Sequence, residues 1–312
     1  GQGDIPRSQL TAISSDSFIT ANAGTVGNGG TVVVWSDGLT NFYGDMEARG
    51  GTISGNGGMV EVSGKNYLVF RGMVDAGATD GLAGTLLLDP KNITIDNVAS
   101  GGSPTIAVFT NSTFIDVTGG SGSEGLTIQS SLTNLGYNVI TFTGYTATDF
   151  TNAAALANII LIPEQEAGSL FSALDASAKT QLANLINAGG GFIINGGSND
   201  ISLLNGVFGY ALTSGSSGTA TLNNIVASGT SFAGGSTTLP ANSATNKVGN
   251  LPTGALNLYS DGGTDSTVFA SNYGAGKIVY LGWDWYDASP LGITDGGWLN
   301  VLDRSVQFVN TN

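Results

Sequence analysis

The chain contains no cysteine and no histidine in 312 residues. The first absence removes disulfides, thiolate metal sites and thiol nucleophiles together. The second removes the side chain best suited to take a proton from a serine near neutral pH, so a Ser-His-Asp arrangement is excluded outright. Basic residues are also scarce, with nine Lys and Arg against 23 Asp and Glu and a net charge of −14. An acidic surface has nothing to neutralise on a phosphate backbone or an anionic bilayer, so neither nucleic acid nor a membrane surface is expected as a partner. No apolar run approaches the ~18 residues of a spanning helix, which predicts no membrane insertion. The sequence opens at Gly1 with no Met, basic region or apolar signal core, and a targeting segment is expected to have been removed or to lie outside it. Charged residues of both signs make up only 10% of the chain. The resulting Ser/Thr/Asn/Gly-rich composition is common in secreted structural proteins.

Glycine, by contrast, is abundant at 49 residues, more than double its usual share of about 7%. There is no Gly-X-Y period, so the excess belongs to turns and not to a collagen helix. Much of it lies in a repeat. Gly27-Asn28-Gly29-Gly30-Thr31-Val32-Val33-Val34 returns 28 residues later as Gly55-Asn56-Gly57-Gly58-Met59-Val60-Glu61-Val62, and a looser copy, Gly84-Thr85-Leu86-Leu87-Leu88, follows. Residues 42–48 match residues 70–76 at the same offset. Repeats of this length indicate stacked units.

Within each strand of the repeat the period is two, and the charges mark the wet side. Glu61 faces out, so Val60 and Val62 face in, as do Val32, Val34, Leu86 and Leu88 by offset. In the second line Glu47 and Asp75 face out, which turns Phe42, Met46 and Ala48, with Phe70, Val74 and Ala76, toward the interior. A ladder of like on like predicts a short parallel β-helix over residues 1–100, since one rung alone cannot bury its own apolar face. The competing reading is an antiparallel sandwich containing two near-repeats.

The segments Gly-Asn-Gly-Gly-Thr-Val-Val-Val-Trp-Ser-Asp (27–37), Phe-Tyr-Gly (42–44), Gly-Asn-Gly-Gly-Met-Val-Glu-Val-Ser-Gly-Lys (55–65) and Gly-Thr-Leu-Leu-Leu-Asp-Pro-Lys-Asn-Ile-Thr-Ile (84–95) resemble the filamentous-haemagglutinin-type adhesins of two-partner secretion. The resemblance covers about the first third of the chain. It implies a right-handed β-helix, export, and display at a bacterial cell surface. The family's amino-terminal secretion domain is missing, which implies a carboxyl-terminal piece of a longer precursor.

After a Gly/Ser/Pro hinge at 99–104 the grammar changes. Strands are predicted at 105–110, 139–142, 158–162 and 192–194, with helices at 124–137 and 169–188 between them. A Ser/Thr/Gly/Asn-rich stretch at 206–257 reads as short strands and long loops. A hairpin of 266–273 and 277–283 and a closing helix at 298–309 follow. Alternating strands and helices predict a parallel sheet with helices on its faces, a second domain over 103–312. Its element order resembles the class I glutamine-amidotransferase-like variant of the flavodoxin fold.

In such a sheet reactive groups gather beyond the carboxyl ends of the strands. Those ends carry Asn111, Glu164-Gln165-Glu166, Asn195, Ser198, Asn199 and Asp200, and Asp284 and Asp287 with Trp283 and Trp285 interleaved. The amidotransferase-like enzymes place a cysteine on the turn after the fourth strand and a histidine later; here that turn reads Gly196-Gly197-Ser198, a degenerate version. A serine without a nearby base is a weak nucleophile. Glu164 with Asp284 is the pair that a glycosidase-type reaction would use. The Trp283–Asp287 cluster is either a stacking platform for sugar or strand-end packing against the closing helix. Asp261 and Asp265 put two carboxylates in one loop and are the candidate ligands for a structural calcium ion, although the EF-hand pattern is not met and no cofactor is expected.

The expected function is that of a non-enzymatic extracellular structural or adhesive protein that touches cell-surface glycan or extracellular matrix. The alternatives are a carbohydrate-binding module at the Glu164/Ser198/Asp284 edge and a hydrolase with an unusual site. Because an open β-helix end invites another strand, Ile5, Leu10, Ile13, Phe18 and Ile19 are the expected contact of one copy on the next in a head-to-tail homopolymer.

Overall fold

The computed structural model describes residues 7–13, 17–65, 67–70, 72–89, 92–95 and 104–310. The chain divides into two compact units, Gly1–Gly102 and Ser103–Asn312. The expected hinge at 99–104 lies outside the described residues except for Pro104.

In the first unit the described strands form three parallel sheets. One orders β1 (Leu10–Ile13), β4 (Leu39–Phe42), β7 (Tyr67–Phe70) and β10 (Asn92–Ile95); a second, β2 (Phe18–Thr20), β5 (Asp45–Glu47) and β8 (Met73–Asp75); a third, β3 (Thr31–Ser36), β6 (Met59–Gly64) and β9 (Thr85–Leu88). Pairing follows the repeat, with Val33 opposite Glu61 and Glu61 opposite Leu87. The period-two facing follows in the first two copies: Val34, Val60 and Val62 are buried beside Phe42, Met46, Ala48 and Phe70, while Val33 is exposed. In the third copy it does not, since Leu86, expected to face in, is exposed along with Leu87. Phe42 and Phe70 stack at 5.2 Å, like on like.

The Gly-Asn-Gly-Gly corners have a specific task. Asn28 Oδ1 accepts the Asn56 N–H at 2.8 Å, and Asn56 Oδ1 accepts the Leu82 N–H at 2.9 Å. Each asparagine thus satisfies a backbone donor one repeat further on. Gly55 has φ of +129°, and a Cβ on it would stand 1.9 Å from the Gly27 carbonyl oxygen, so no other residue fits. The right-handed β-helix expected for residues 1–100 is corrected to this coarser description. Strand pairing and burial among the described residues define three short parallel sheets around a shared apolar interior.

The second unit is a mixed α/β fold. Five parallel strands, β11 (Thr105–Phe109), β12 (Asn138–Phe142), β13 (Ile159–Ile162), β14 (Gly191–Asn195) and β21 (Gly276–Leu281), lie in the order β12-β11-β13-β14-β21. That is the 2-1-3-4-5 order of flavodoxin-like sheets. The same sheet continues antiparallel through β20 (Val268–Tyr273), β19 (Leu256–Ser260), β16 (Ala220–Leu222) and β17 (Thr238–Leu239), while β15 (Thr213–Ser216) and β18 (Asn246–Gly249) pair separately.

Every parallel strand except β12 is buried almost throughout, and its alternation feeds two cores. Ile106, Ile159, Ile193 and Val279 pack with α1 (Glu124–Asn134) and α7 (Trp298–Asn310). Phe109, Ile160, Phe192 and Ile278 pack with α2 (Ala147–Leu156), α3 (Leu170–Ala173), α4 (Ala176–Asn187) and α5 (Ser198–Phe208). A further short helix, α6 (Asn224–Ala227), lies against β19.

Three helical features differ from the sequence expectation. α2 and α5 stand where none is predicted, and the helix expected over 169–188 is two. Asp175 interrupts the latter because its carboxylate accepts the Ala178 N–H and caps a new helix start.

Candidate functional site

The carboxyl ends of β13, β14 and β21 converge, and each is prolonged by polar residues. Register sets them side by side: Ile162 pairs with Ile194, and Asn195 with Leu281. β13 runs into Pro163-Glu164-Gln165-Glu166, β14 ends on Asn195 and turns at Gly196-Gly197 into α5, and β21 runs into Gly282-Trp283-Asp284.

The turn is tight because Gly196 has φ of +115°, and a Cβ there would meet Asp200 Oδ2 at 2.6 Å and Glu164 Cβ at 2.7 Å. Glycine therefore lets the β14–α5 backbone close over two acidic side chains. Tyr280 fixes it from below, its hydroxyl donating to the Gly196 carbonyl at 2.7 Å. Asp200, in the first turn of α5, accepts from Gln165 Nε2 at 2.6 Å and from the Gln165 N–H at 3.2 Å. Gln165 Oε1 in turn accepts the Leu170 N–H, and Asn199 Nδ2 donates to the Gln165 carbonyl at 2.7 Å. The β13 and β14 loops are thus locked together by Asp200, Gln165 and Asn199.

In and around this frame three side chains keep polar atoms that nothing answers. Glu164 is 7% exposed and its Oε2 has no hydrogen-bond partner. Asn195 is fully buried and neither its amide nitrogen nor its oxygen is paired. Glu124, at the start of α1, is 2% exposed with Oε2 unpaired. Buried polar groups in folded proteins are almost always satisfied. Asn134 and Asn257 of this unit also keep an unpaired atom, but Glu164 and Asn195 are the two that lie at the carboxyl ends of neighbouring strands. Asp284, by contrast, accepts the Tyr286 N–H at 2.9 Å, and its carbonyl accepts from Asn242 Nδ2 at 2.8 Å.

The electrostatics agree. Burial, reinforced by the charges of Asp200, Asp284, Glu166 and Glu124, pushes Glu164 up to about 9. Burial raises Glu124 to about 7, against the pull of a backbone hydrogen bond and with added repulsion from Glu166, Asp284 and Asp116. Asp200 is raised by burial although the Gln165 hydrogen bonds oppose the shift. Asp284 and Glu166 are raised by burial as well. The cause common to all is a low-dielectric setting that disfavours negative charge.

No described basic side chain of the second unit relieves it. Among the described residues, Lys179 lies over the Phe171 ring, Lys247 pairs with Asp261, Lys277 lies over the Phe308 ring, and Arg304 donates to the carbonyls of Ser231, Ala233 and Gly234. These are the four basic residues of the second unit.

Of the residues expected at this edge, Glu164, Asn199 and Asp284 belong to the arrangement. Ser198 is exposed on the first turn of α5, and its carbonyl accepts the Ser202 hydroxyl. Trp283 and Trp285 require a correction. They are 2% and 0% exposed, and Trp283 stacks on Trp298 of α7 at 5.3 Å, so neither ring face is open to a sugar. Asp287 holds a left-handed turn (φ +52°), its N–H donating to the Ser121 carbonyl.

Asn195 and Asp200 were placed at this edge by the strand ends but given no role, and Glu124 was missed. The signal for Asp200 was present in the spacing of Ile201, Leu204 and Phe208 before Gly209, which marks α5 and places Asp200 in its first turn. Asp261, a candidate calcium ligand with Asp265, is instead bound by Lys247 Nζ at 2.9 Å, and no group of three or more acidic residues suited to a metal occurs among the described residues. Of the expected self-assembly residues, Ile5 and the side chain of Leu10 lie outside the description. Ile13 and Ile19 pack on the interior of the first unit, and Phe18 is exposed. No described helix is long and apolar enough to cross a membrane.

No family model and no curated protein matches the chain. Solved structures do. Two cytoplasmic proteins of Salmonella typhimurium match at 12% and 11% identity over 66% of this chain and 99% and 98% of their own, with TM-scores of 0.44 and 0.46. A ThuA-like protein of Bacteroides uniformis matches at 11% identity over 68% of this chain and 95% of its own, with a TM-score of 0.46. A likeness this distant assigns no activity. The resemblance to filamentous-haemagglutinin-type adhesins is corrected: no such family model matches the chain. Two-partner secretion and display at a bacterial surface are withdrawn with it.

Proposed function

We propose that the second unit binds a carbohydrate at the carboxyl edge of its sheet and does not transform it. The observation that carries this reading is the pair of buried, unpartnered side chains Glu164 and Asn195 inside a frame locked by Asp200, Gln165 and Asn199. A hydroxyl both donates and accepts, so sugar hydroxyls suit an unpaired carboxyl and an unpaired amide together. Asn195 offers both functions and Glu164, held protonated near neutral pH, can donate.

Hydrolysis through a covalent serine is disfavoured, because Ser198 after the Gly196-Gly197 turn is exposed and the chain has no histidine to activate it.

On this reading the first unit is a structural scaffold. Its chain visits three parallel sheets in turn once per repeat, as the coils of a solenoid do.

Calorimetric titration with a panel of neutral mono- and disaccharides tests the proposal. The wild type should bind at least one of them, and Asn195→Ala should abolish the heat while leaving the melting temperature within about 2 °C, since no hydrogen bond is removed. Absence of binding across the panel, or unchanged binding by Asn195→Ala, would overturn it.

A further inference from the structure

Resting on the carbohydrate reading, the geometry points to a ligand that carries a protonated amino group, an amino sugar with a free ammonium, seated against Glu164. The frame supplies an acceptor set and no internal cation. Glu164 Oε2 is unpartnered and buried, and the charges of Asp284, Glu166 and Glu124 all reach it. Asp200 lies behind it, engaged by Gln165, and the buried Tyr280 hydroxyl donates to the Gly196 carbonyl, so neither can supply a positive partner. From the remaining elements, Asp116 adds a further negative charge near Glu124 and Glu166. All four basic residues of the second unit are engaged elsewhere.

Acidic clusters are common on a chain of net charge −14, and by itself this one would signify little. Two independent features separate it from a solvated acidic face. Glu164 is more than nine-tenths buried with an open valence, and Asn195 beside the Gly196-Gly197 turn is fully buried with both side-chain atoms unpaired. A neutral sugar would satisfy the hydrogen bonds but leave the crowding of carboxyls as it is. An ammonium supplies three donors and the missing charge at once.

The exchange balances simply. The ammonium keeps its proton, Glu164 releases its own to solvent, and the bound state is an ammonium–carboxylate pair. Binding therefore releases a proton, and affinity rises with pH until the free amine itself loses its proton.

The experiment is calorimetric titration of the full chain with D-glucosamine, D-glucose, N-acetyl-D-glucosamine and ethanolamine, in two buffers of different ionisation enthalpy. Glucosamine should bind about tenfold tighter than glucose or the N-acetyl sugar, the difference between a charge-assisted and a neutral hydrogen bond. It should also release up to one proton, and Glu164→Gln should erase both the preference and the release. Equal binding of all three sugars without proton release overturns this inference and leaves the carbohydrate reading intact. Ethanolamine binding as tightly as glucosamine, with glucose silent, upholds the ammonium and overturns the sugar. Silence from all four overturns both.

Discussion

Acidic side chains on the repeat of the first unit are answered locally, whereas Glu124 and Glu164 of the second each keep a buried carboxyl oxygen without a partner. Glu47 accepts from Asn22 at 2.6 Å, Asp75 pairs with Arg49 and takes the Gly77 N–H at 2.8 Å, and Glu61 accepts from Ser63 at 3.1 Å, all on outward-facing or corner positions. Glu124, Glu164 and Asp200 lie inside the second unit, and all three are raised by burial. The difference follows from topology. A repeat puts each polar group next to its own copy, so a solution found once is found again; a doubly wound sheet gathers loops far apart in sequence at one edge, where acids can meet without partners.

The comparison can be broken most severely from the first unit. Val60→Asp would set a charge among Val34, Val62 and Phe42 and should cost more than about 4 kcal/mol, read by chemical denaturation of that unit's transition. A cost near that of a surface change would mean that the interior is not where the repeat puts it.

Next in size, Gly196→Ala should cost about 2–4 kcal/mol, because the φ of +115° strains any side chain and the new Cβ collides with Asp200 and Glu164. A neutral result in thermal melts would show that the turn is free to open, and with it the site.

A matched pair of asparagines sharpens the contrast. Asn56→Ala should cost about 1 kcal/mol by orphaning the Leu82 N–H, whereas Asn195→Ala, though fully buried, should change stability by less than about 0.5 kcal/mol. Equal losses would mean that Asn195 is as structural as Asn56. Smallest of all, Glu61→Gln should stay within about 0.5 kcal/mol, since its side chain faces outward between Val33 and Leu87.

The sequence was most legible where chemistry repeats at short range. Glu61 alone oriented β6, and the 28-residue offset then placed Val34, Val62, Phe42 and Phe70 correctly. The same motif misled at the level of family, because Gly-Asn-Gly-Gly records the needs of a tight corner, and those needs are shared by any parallel stack that turns there.

In the second unit, strands and their carboxyl ends were readable from apolar runs, which brought Glu164 and Asp284 into view. α2 escaped because its apolar face is slight, Phe150 and Ala153, although Thr146 and Asp149 form a reciprocal cap that announces it. The roles of Trp283 and Trp285 were not readable, since whether an aromatic stacks on sugar or on Trp298 depends on where α7 docks. Nor could burial of Glu124 and Asn195 be read, because it is made by loops that lie up to 160 residues apart, Glu124 and Asp284 being the extremes.

The central claim is that the second unit keeps an uncompensated carboxyl at the sheet edge, and the pH dependence of Glu164→Gln tests it most directly. Folding holds on Glu164 a proton that the unfolded chain gives up at the ordinary value of 4.5 and the folded one only at about 9. Its contribution to stability is therefore fully present below about pH 4.5 and is lost as pH rises toward 9. Denaturation of wild type and Glu164→Gln should coincide near pH 4, and the variant should become the more stable by on the order of 2 kcal/mol near pH 8. Curves that stay parallel from acid to alkali, or a variant that is less stable at alkaline pH, would contradict the account.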